Sequence, residues 1–349
     1  MPKNTYHDIK DKEHIEKMRA VLKELPAFAT KFFRSIEDVT AAKTKLAYAY
    51  DLRVFFTFLK NNNPSLSDTA IHDFPISILE QITREDIEEY LEYCSLYEKD
   101  GLELQNTELG KKRKLASLRS FYKYYFTSEL ITKNPAELVP MPKIHEKNIT
   151  RLEPDETARL LDLVEDGDKL TPKEKRYHDK TGVRDLALMT LLLGTGIRVS
   201  ECVGLDLSDV DFSTNGILIR RKGGKEQVVY FGDEVEEALK NYLEQRHHII
   251  AEEGHDQALF LSLQNRRISV RAVENLVKKY ASRITTMKKI TPHKLRSTYG
   301  TSLYRETGDI YLVADVLGHS DVNTTRKHYA AQEDENRRRA ANKVRLRRD

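Results

Sequence analysis

The sequence has few cysteines and no long apolar run. Cys94 and Cys202 are its only cysteines, and their positions match no ligand spacing, so neither a disulfide framework nor a zinc site is supported. No run of about 18 apolar residues could span a bilayer, and residues 1–5 lack the apolar core of a signal peptide. We therefore expect a protein of the reducing cytosol that does not engage a membrane.

The composition also has little net charge and few aromatic residues. Its formal net charge is +3, with 8% aromatic and 32% charged residues, which is typical of a soluble, helix-rich protein. A chain of 349 residues suits two domains better than one small core. The basic residues are clustered, for example at 111–114, 266–267 and 337–339. This clustering predicts a distributed phosphate-binding surface.

Helical spacing of apolar residues dominates the first part of the chain. Residues 13–34 show this spacing, and Thr40 is placed to cap a second helix. Further helices are predicted at 84–97 and around 115–125. The segment 134–154 contains four prolines and little apolar periodicity, which indicates a linker. We predict an all-α domain over residues 1–146 and a second domain over 147–349.

The second part combines helices with one hairpin. Residues 185–193 are apolar nearly all round and predict a buried helix, which Gly194 and Gly196 end before a new helix starts at Arg198. The runs 216–220 and 227–231 flank Gly223–Gly224 and predict a β-hairpin. Further helices are expected at 233–247, 270–283, 293–306, 309–317 and 322–332. The predicted fold class is mainly α with a small β-hairpin or sheet.

Four short motifs carry the chemistry, and their order gives them weight. They are Gly196-Ile197-Arg198-Val199-Ser200-Glu201, Arg221-Lys222-Gly223-Gly224-Lys225, His293-Lys294-Leu295-Arg296, and Gly318-His319 followed by Tyr329. Singly, each has an ordinary interpretation as a helix start, a turn or a packed side chain. Together and in this order, the chain resembles the tyrosine recombinase (phage integrase) family over most of its length. Within it, the hairpin and residues 291–296 are most similar to Xer-type recombinases of low-GC Gram-positive bacteria.

The resemblance implies a site for breaking a DNA phosphodiester. Arg198 and Arg296 match the two arginines that clamp the phosphate, a task that suits the planar guanidinium fork. His293 matches the histidine that assists proton removal, and His319 the residue that hydrogen-bonds the phosphate. The remaining matches are Glu201, which braces the site, and Lys222, which acts as general acid on the leaving 5′ oxygen. Lys225 is a rival for that last role.

Tyr329 matches the nucleophile. It would form a 3′-phosphotyrosyl link that conserves bond energy, so the resemblance implies no cofactor, ATP or metal. Two departures stand out. Tyr329 follows His319 by ten residues where many members have nine, and the ninth position is His328. Ser297 stands where Xer proteins usually have histidine, which weakens the assignment to the subgroup rather than the chemistry.

The family's architecture implies a C-shaped clamp around duplex DNA, built from a helical core-binding domain and a catalytic domain. Two protomers per inverted-repeat site and two sites would give a homotetramer that passes through a Holliday junction. The proposed DNA-binding residues are Lys43, Lys45, Arg53, Lys112, Arg119, Arg266 and Arg267. The sequence does not reveal the target DNA site or whether an accessory protein sets the direction of recombination. It also leaves open whether the biological role is resolution of chromosome dimers or movement of a mobile element. A protein that acts on chromosomal DNA in this way is expected in the cytoplasm, on the nucleoid. A type IB topoisomerase and a non-catalytic architectural protein are the alternatives.

Overall fold

The computed structural model describes residues 5–99, 101–144, 150–221, 225–318 and 322. The chain divides into two compact units, Met1–Glu146 and Lys147–Asp349. Its secondary structure is mainly α-helical with two small antiparallel sheets, which confirms the predicted fold class. Among the helices in these ranges, none is long and apolar enough to cross a membrane.

The N-terminal unit is a helical unit with one short hairpin. Its elements are α1 Tyr6–Leu22, α2 Ala29–Ser35, α3 Ala42–Asn62, α4 Ile78–Gln81, α5 Arg84–Tyr93, β1 Tyr97–Lys99, β2 Leu102–Leu104, α6 Glu108–Thr127 and α7 Pro135–Leu138. The single helix expected over 13–34 is wrong, because α1 starts at a capping box of Thr5 and Asp8 and Pro26 lies in the break before α2. Thr40 is not a cap either, since Ala41 precedes α3 without a side-chain hydrogen bond.

Aromatic side chains fill the core of this unit. The stripe predicted from spacing in α6, namely Leu115, Leu118, Tyr122 and Tyr125, is buried throughout. Phe121 meets Phe32 edge to face at 5.3 Å and Tyr125 at 4.9 Å between ring centroids, geometry that aromatic pairs favour. The β1–β2 hairpin is antiparallel and turns at Gly101. It shortens α5 relative to the predicted 84–97 and adds strands to a unit expected to be all-α.

The C-terminal unit packs around the buried second half of one long helix. Its elements are α8 Pro154–Asp166, α9 Pro172–Thr195, α10 Val199–Gly204, β3 Val210–Asp211, β4 Gly216–Arg220, β5 Glu226–Tyr230, α11 Asp233–His247, α12 Val270–Ile284, α13 Pro292–Thr307 and α14 Ile310–Leu317. The predicted buried segment 185–193 is the second half of α9. The predicted hairpin is present as β4–β5, and β3 joins its β4 side. The helix expected at 322–332 lies outside the described residues except for Val322.

The ends of α9 and α14 meet α13 where the motifs lie. Gly196 ends α9 with φ 63°, a left-handed conformation that favours glycine. A Cβ atom at Gly196 would overlap the ring of Tyr299 on α13 and lie 3.0 Å from Cδ2 of Leu317 on α14. The absence of a side chain at this position therefore lets the ends of α9 and α14 approach α13 closely.

Candidate active site

Glu201 fixes Arg198 at the start of α10. Arg198 is the N-cap residue, and its backbone N–H donates to Oε2 of Glu201 at 2.7 Å. Its Nη1 donates to Oε1 of the same carboxylate at 2.8 Å. The Glu201 side chain is only 3% exposed, whereas that of Arg198 is 41% exposed. The arrangement therefore holds a guanidinium group in one orientation while leaving part of it accessible.

Arg296 links the ends of two helices from a buried position. This arginine on α13 is 4% exposed. Its Nη1 donates to the carbonyl oxygen of Gly196 at 2.6 Å, and its Nη2 donates to that of Leu317. His293 lies one helical turn before Arg296 on the same helix and is exposed. The predicted pair thus shares one helix face, as expected from its spacing.

Three arginines converge on the C-terminal end of α14. Arg198 donates through Nη2 to the carbonyl oxygen of Gly318 at 3.2 Å, next to the Leu317 carbonyl that Arg296 occupies. Arg221, directly after β4, donates through Nη2 to the carbonyl oxygen of Val316 at 2.8 Å. Three consecutive carbonyl groups at a helix end, where intrahelical donors are missing, therefore each accept from a different arginine. We call Arg198, Arg221 and Arg296 the arginine cluster.

Arg221 is the member of this cluster that the sequence did not single out. Burial lowers the pKa of its guanidinium, and the nearby charge of Arg198 adds to this effect while Glu201 opposes it. A Cβ atom on Gly318 would overlap Nη1 of Arg221, so the guanidinium lies directly over this glycine. The only signal available in the sequence was that Arg221 is adjacent to Lys222.

Three of the predicted catalytic residues, Lys222, His319 and Tyr329, lie outside the described residues. The residues that directly precede Lys222 and His319 are described. The backbone N–H of Arg221 donates to the carbonyl oxygen of Lys225 at 2.7 Å, so the strands stay paired up to the segment that contains Lys222. The Lys225 side chain is exposed. Gly318, which accepts from Arg198, directly precedes His319.

The predicted DNA-binding residues fall into two groups. Lys43 and Lys112 are exposed and make no ion pair with any residue in the described ranges. Arg266 is also exposed, although Glu252 accepts from its guanidinium through both carboxylate oxygens. These three cations lie at the surface, where a phosphate could reach them.

The other four cations have partners inside the fold. Lys45 is 3% exposed and pairs with Glu37 at 2.8 Å, and Arg53 pairs with Glu24 at 2.9 Å. Arg119 donates to the carbonyl oxygen of Val139 at 2.6 Å and to that of Ala136 at 3.1 Å. Arg267 donates to the carbonyl oxygen of Leu205 at 2.7 Å and also contacts Asp206. These bonds engage the four side chains within their own units, and their contact with DNA stays a prediction.

No group of three or more His, Cys, Asp or Glu side chains within the described ranges is arranged to hold a metal ion. Cys202 follows Glu201 directly but is buried, and burial raises the pKa of its thiol. A protonated, inaccessible thiol is a poor nucleophile.

Comparison with known proteins identifies the class. Residues 150–336 match the sequence model of the Phage integrase family, and the chain belongs to this family of tyrosine site-specific recombinases. It is similar to the tyrosine recombinase XerC of Caldanaerobacter subterraneus subsp. tengcongensis, at 34% identity over 91% of this chain and 86% of the relative. It is also similar to the tyrosine recombinase XerS of Streptococcus uberis, at 33% identity over 90% of this chain and 93% of the relative.

A solved structure supports the fold. The crystal structure of the XerH site-specific recombinase in a post-cleavage complex with a palindromic difH substrate matches with a TM-score of 0.63 and 20% identity. The match covers 86% of this chain and 80% of that chain. The family model and the Xer relatives confirm the family membership and the Xer-type resemblance inferred from the motifs.

Proposed function

We propose that this protein cuts and rejoins duplex DNA at specific sites through a 3′-phosphotyrosyl intermediate on Tyr329. The observation that carries the proposal is the convergence of Arg198 and Arg296 on neighbouring carbonyl groups at the end of α14, directly before His319. Two guanidinium groups from distant motifs meet at one point. Such a pair suits a phosphoryl group whose negative charge grows in the transition state.

The chemistry assigns one task to each residue. The phenolic oxygen of Tyr329 attacks the phosphorus, and its proton passes toward His293. The bond from phosphorus to the 5′ oxygen breaks, and Lys222, or Lys225 as its rival, gives that oxygen a proton. Arg198, Arg296 and His319 hold the non-bridging oxygens. The 5′ hydroxyl of a second strand then gives up its proton and attacks the phosphotyrosine. The bond from phosphorus to the tyrosine oxygen breaks and that oxygen regains a proton, so the phosphodiester is restored without an external energy source.

Burial strengthens the contribution of Arg296. A charge that is 4% exposed interacts with a phosphate through a medium of lower effective dielectric than water. Glu201 is also buried, so its carboxylate fixes Arg198 and offsets part of the positive charge. A cation held in place before the substrate arrives needs no reorganisation during the reaction.

The two units divide the work on DNA. In this proposal the unit of residues 1–146 binds the duplex, with Lys43 and Lys112 near phosphates, and the unit of residues 147–349 cleaves it, with Arg266 near the backbone. Phosphate contacts of this kind orient a protein on DNA without reading its sequence. The XerH crystal structure supports a DNA partner, since it holds a difH substrate.

The substrate we propose is a double-stranded site with inverted repeats, bound by two protomers. Two such sites form a homotetramer that exchanges one pair of strands at a time through a Holliday junction, with an accessory protein as a possible directing partner. This takes place in the cytoplasm, on the nucleoid. The biological role is resolution of chromosome dimers or movement of a mobile element. The neighbouring genes distinguish the two, because excision or conjugation genes would indicate an integrase.

The direct test is a covalent adduct. The full-length protein is incubated with a nicked duplex that carries a site selected by the protein from a random library, so that cleavage releases a short fragment and traps the intermediate. We expect an adduct from the wild-type protein and none from Tyr329→Phe, with specific DNA binding retained. Tyr311→Phe is the control, because it removes a hydroxyl from a tyrosine that is 72% exposed on α14. An adduct with Tyr329→Phe would show that the nucleophile is a different residue.

A supercoiled plasmid tests the alternatives. Relaxation without any site preference would support a type IB topoisomerase, and binding without an adduct would support an architectural protein. Site-dependent adduct formation and strand exchange would support the recombinase.

A further inference from the structure

Arg221 carries hydrogen-bond donors that no acceptor in the described part of the chain engages. Its Nη2 donates to the carbonyl oxygen of Val316. Its Nε and Nη1 are buried, and neither has an acceptor among the residues that the structure describes. Donors on a charged group that are removed from water without a replacement partner are costly. A buried guanidinium group whose donors have no acceptor in the described residues suits the binding of an anion, because the anion supplies those acceptors.

The surroundings of Arg221 belong to the proposed active site. The charges of Arg198 and Glu201 both act on its guanidinium, and its carbonyl acceptor on α14 is next to the one that Arg296 uses. Glu201 is already held by two bonds from Arg198. The cluster therefore combines three guanidinium groups with two nearby carboxylates, those of Glu201 and Asp315, and the remaining positive charge favours a bound anion.

Gly318 makes this position of Arg221 possible. It has φ 61°, and any side chain there would occupy the space of the Arg221 guanidinium. A glycine can end a helix in the left-handed conformation without any cation packed against it, as the end of α13 shows. Gly308 ends α13 with φ 67°, and a Cβ atom added there would meet nothing within 4 Å. The close approach of Arg221 is thus specific to the helix end that precedes His319.

We propose that Arg221 is a third phosphate-binding arginine, whose unpaired N–H groups donate to the DNA phosphate that Arg198 and Arg296 bind. The inference rests on the function proposed above. It also links the proposed phosphate contact to the hairpin, because the backbone N–H of Arg221 donates to the carbonyl oxygen of Lys225 at 2.7 Å.

The test compares a charged with an uncharged scissile group. Arg221→Gln is assayed in single-turnover adduct formation on the nicked duplex, first with the normal phosphodiester and then with a methylphosphonate at the same position. A cation that neutralises the phosphate matters less when that group carries no charge. We expect Arg221→Gln to slow the phosphodiester reaction by roughly 10- to 100-fold. It should slow the methylphosphonate reaction by less than about threefold, which is well below the effect of losing one hydrogen-bond donor to a developing negative charge.

Arg220→Gln is the matched control, because it removes the same charge from the preceding residue. Arg220 pairs with Asp209 at 3.1 Å and with Glu226 at 3.1 Å, so its side chain is engaged away from the arginine cluster. Because Asp209 is buried, Arg220→Gln should lower the free energy of unfolding, but we expect it to slow the reaction on the phosphodiester no more than the reaction on the methylphosphonate. Arg221→Lys keeps the charge but loses the fork. It should lie between wild type and Arg221→Gln on the phosphodiester, and it serves as the second variant if Arg221→Gln unfolds.

The outcomes separate the inference from the proposed function. Equal slowing of both substrates, or of neither, would overturn the phosphate contact. Rescue only by a 5′-bridging sulfur would also overturn it, because Arg221 would then act solely by placing Lys222. A wild-type protein that forms no adduct at all would instead contradict the proposed function.

Discussion

Glu201 accepts two hydrogen bonds from one residue, Arg198, at 2.7 Å from the backbone nitrogen and 2.8 Å from Nη1. The first bond caps α10, and the second orients the guanidinium. One buried carboxylate thus sets both the start of a helix and the direction of a side chain that we assign to the phosphate. Orientation fixed in advance is part of how a site lowers a barrier.

Replacing this carboxylate should weaken cleavage while leaving DNA binding nearly intact. Glu201→Gln keeps the shape but loses the charge, and its amide nitrogen repels one of the two donors. Hydrogen bonds to charged groups contribute about 1.5–3 kcal/mol, so we expect a roughly 10- to 100-fold lower adduct rate in single turnover. Glu226→Gln on the exposed edge of β5 is the control. An unchanged adduct rate for Glu201→Gln would mean that the Glu201 carboxylate is not needed to orient the Arg198 guanidinium.

Arg198→Ala and Arg296→Ala should each lower the cleavage rate by roughly 10²- to 10³-fold. The loss of one donor to a developing negative charge costs about 3–4 kcal/mol. DNA affinity should fall less, since other cations contact the backbone. The rates come from single-turnover adduct formation, and the affinities from DNA binding at a fixed salt concentration. Near-wild-type cleavage by either variant would contradict the proposal that both arginines bind the scissile phosphate.

These two variants should differ in stability. Arg296→Ala leaves the carbonyl groups of Gly196 and Leu317 without their donor in a buried place, and unpaired buried groups cost about 1–3 kcal/mol each. Arg198→Ala removes the Nη1 bond to the buried Glu201 carboxylate, but the backbone N–H at position 198 still donates to that carboxylate. We therefore expect a smaller loss in the free energy of unfolding from Arg198→Ala, and urea unfolding of both variants measures this difference. Equal destabilisation would show that the side-chain bond to Glu201 stabilises the fold as much as the two carbonyl bonds of Arg296.

Lys222 should act as the general acid. A 5′-bridging sulfur departs without protonation, because a thiolate is a far better leaving group than an alkoxide. Lys222→Ala should be slow on normal DNA and largely rescued on the sulfur substrate, whereas Arg198→Ala should not be rescued. The measurement is the ratio of adduct rates on the two substrates. Rescue of Lys225→Ala instead would move the acid to Lys225, and rescue of neither would make His319 the next residue to test.

Gly318→Ala should impair the site more than Gly308→Ala. Both glycines end helices in the left-handed region, with φ 61° and 67°, so both substitutions carry a backbone cost of about 1–2 kcal/mol. Only at Gly318 would the new methyl group displace a side chain, that of Arg221. Thermal unfolding and adduct rates of the two variants should therefore diverge, with cleavage reduced only in Gly318→Ala. Matching adduct rates would show that the position of Arg221 is unimportant for cleavage.

Local patterns explain why part of the site could be predicted. The three-residue interval from Arg198 to Glu201 is the spacing of a capping box, and His293 and Arg296 share a helix face for a similar reason. Both relations involve residues close in sequence, and both are present in the structure. The same holds for the β4–β5 hairpin, whose strands flank Gly223–Gly224.

Relations between distant residues could not be predicted in this way. A count of positive charges cannot show that Arg119 caps the end of α7 or that Arg267 ties Leu205 in place, because their partners are backbone carbonyl groups that the fold brings near. Arg221 was overlooked for the same reason, since its acceptor on α14 is remote in sequence. Local signals also misled at Pro26, where the helical spacing continues but a residue without an N–H interrupts the helix.

The arginines at the end of α14 have an electrostatic consequence for the whole site. Aligned peptide dipoles leave a helix C-terminus with about half a negative charge, and here that end lies where a phosphate is proposed to bind. Without cations around it, Ile310–Leu317 would repel the backbone of DNA. Loss of any one arginine therefore removes an attraction for the phosphate and also exposes the phosphate to repulsion by the helix dipole. A substitution at this helix end should for this reason weaken phosphate binding more than the same loss of charge elsewhere on the surface.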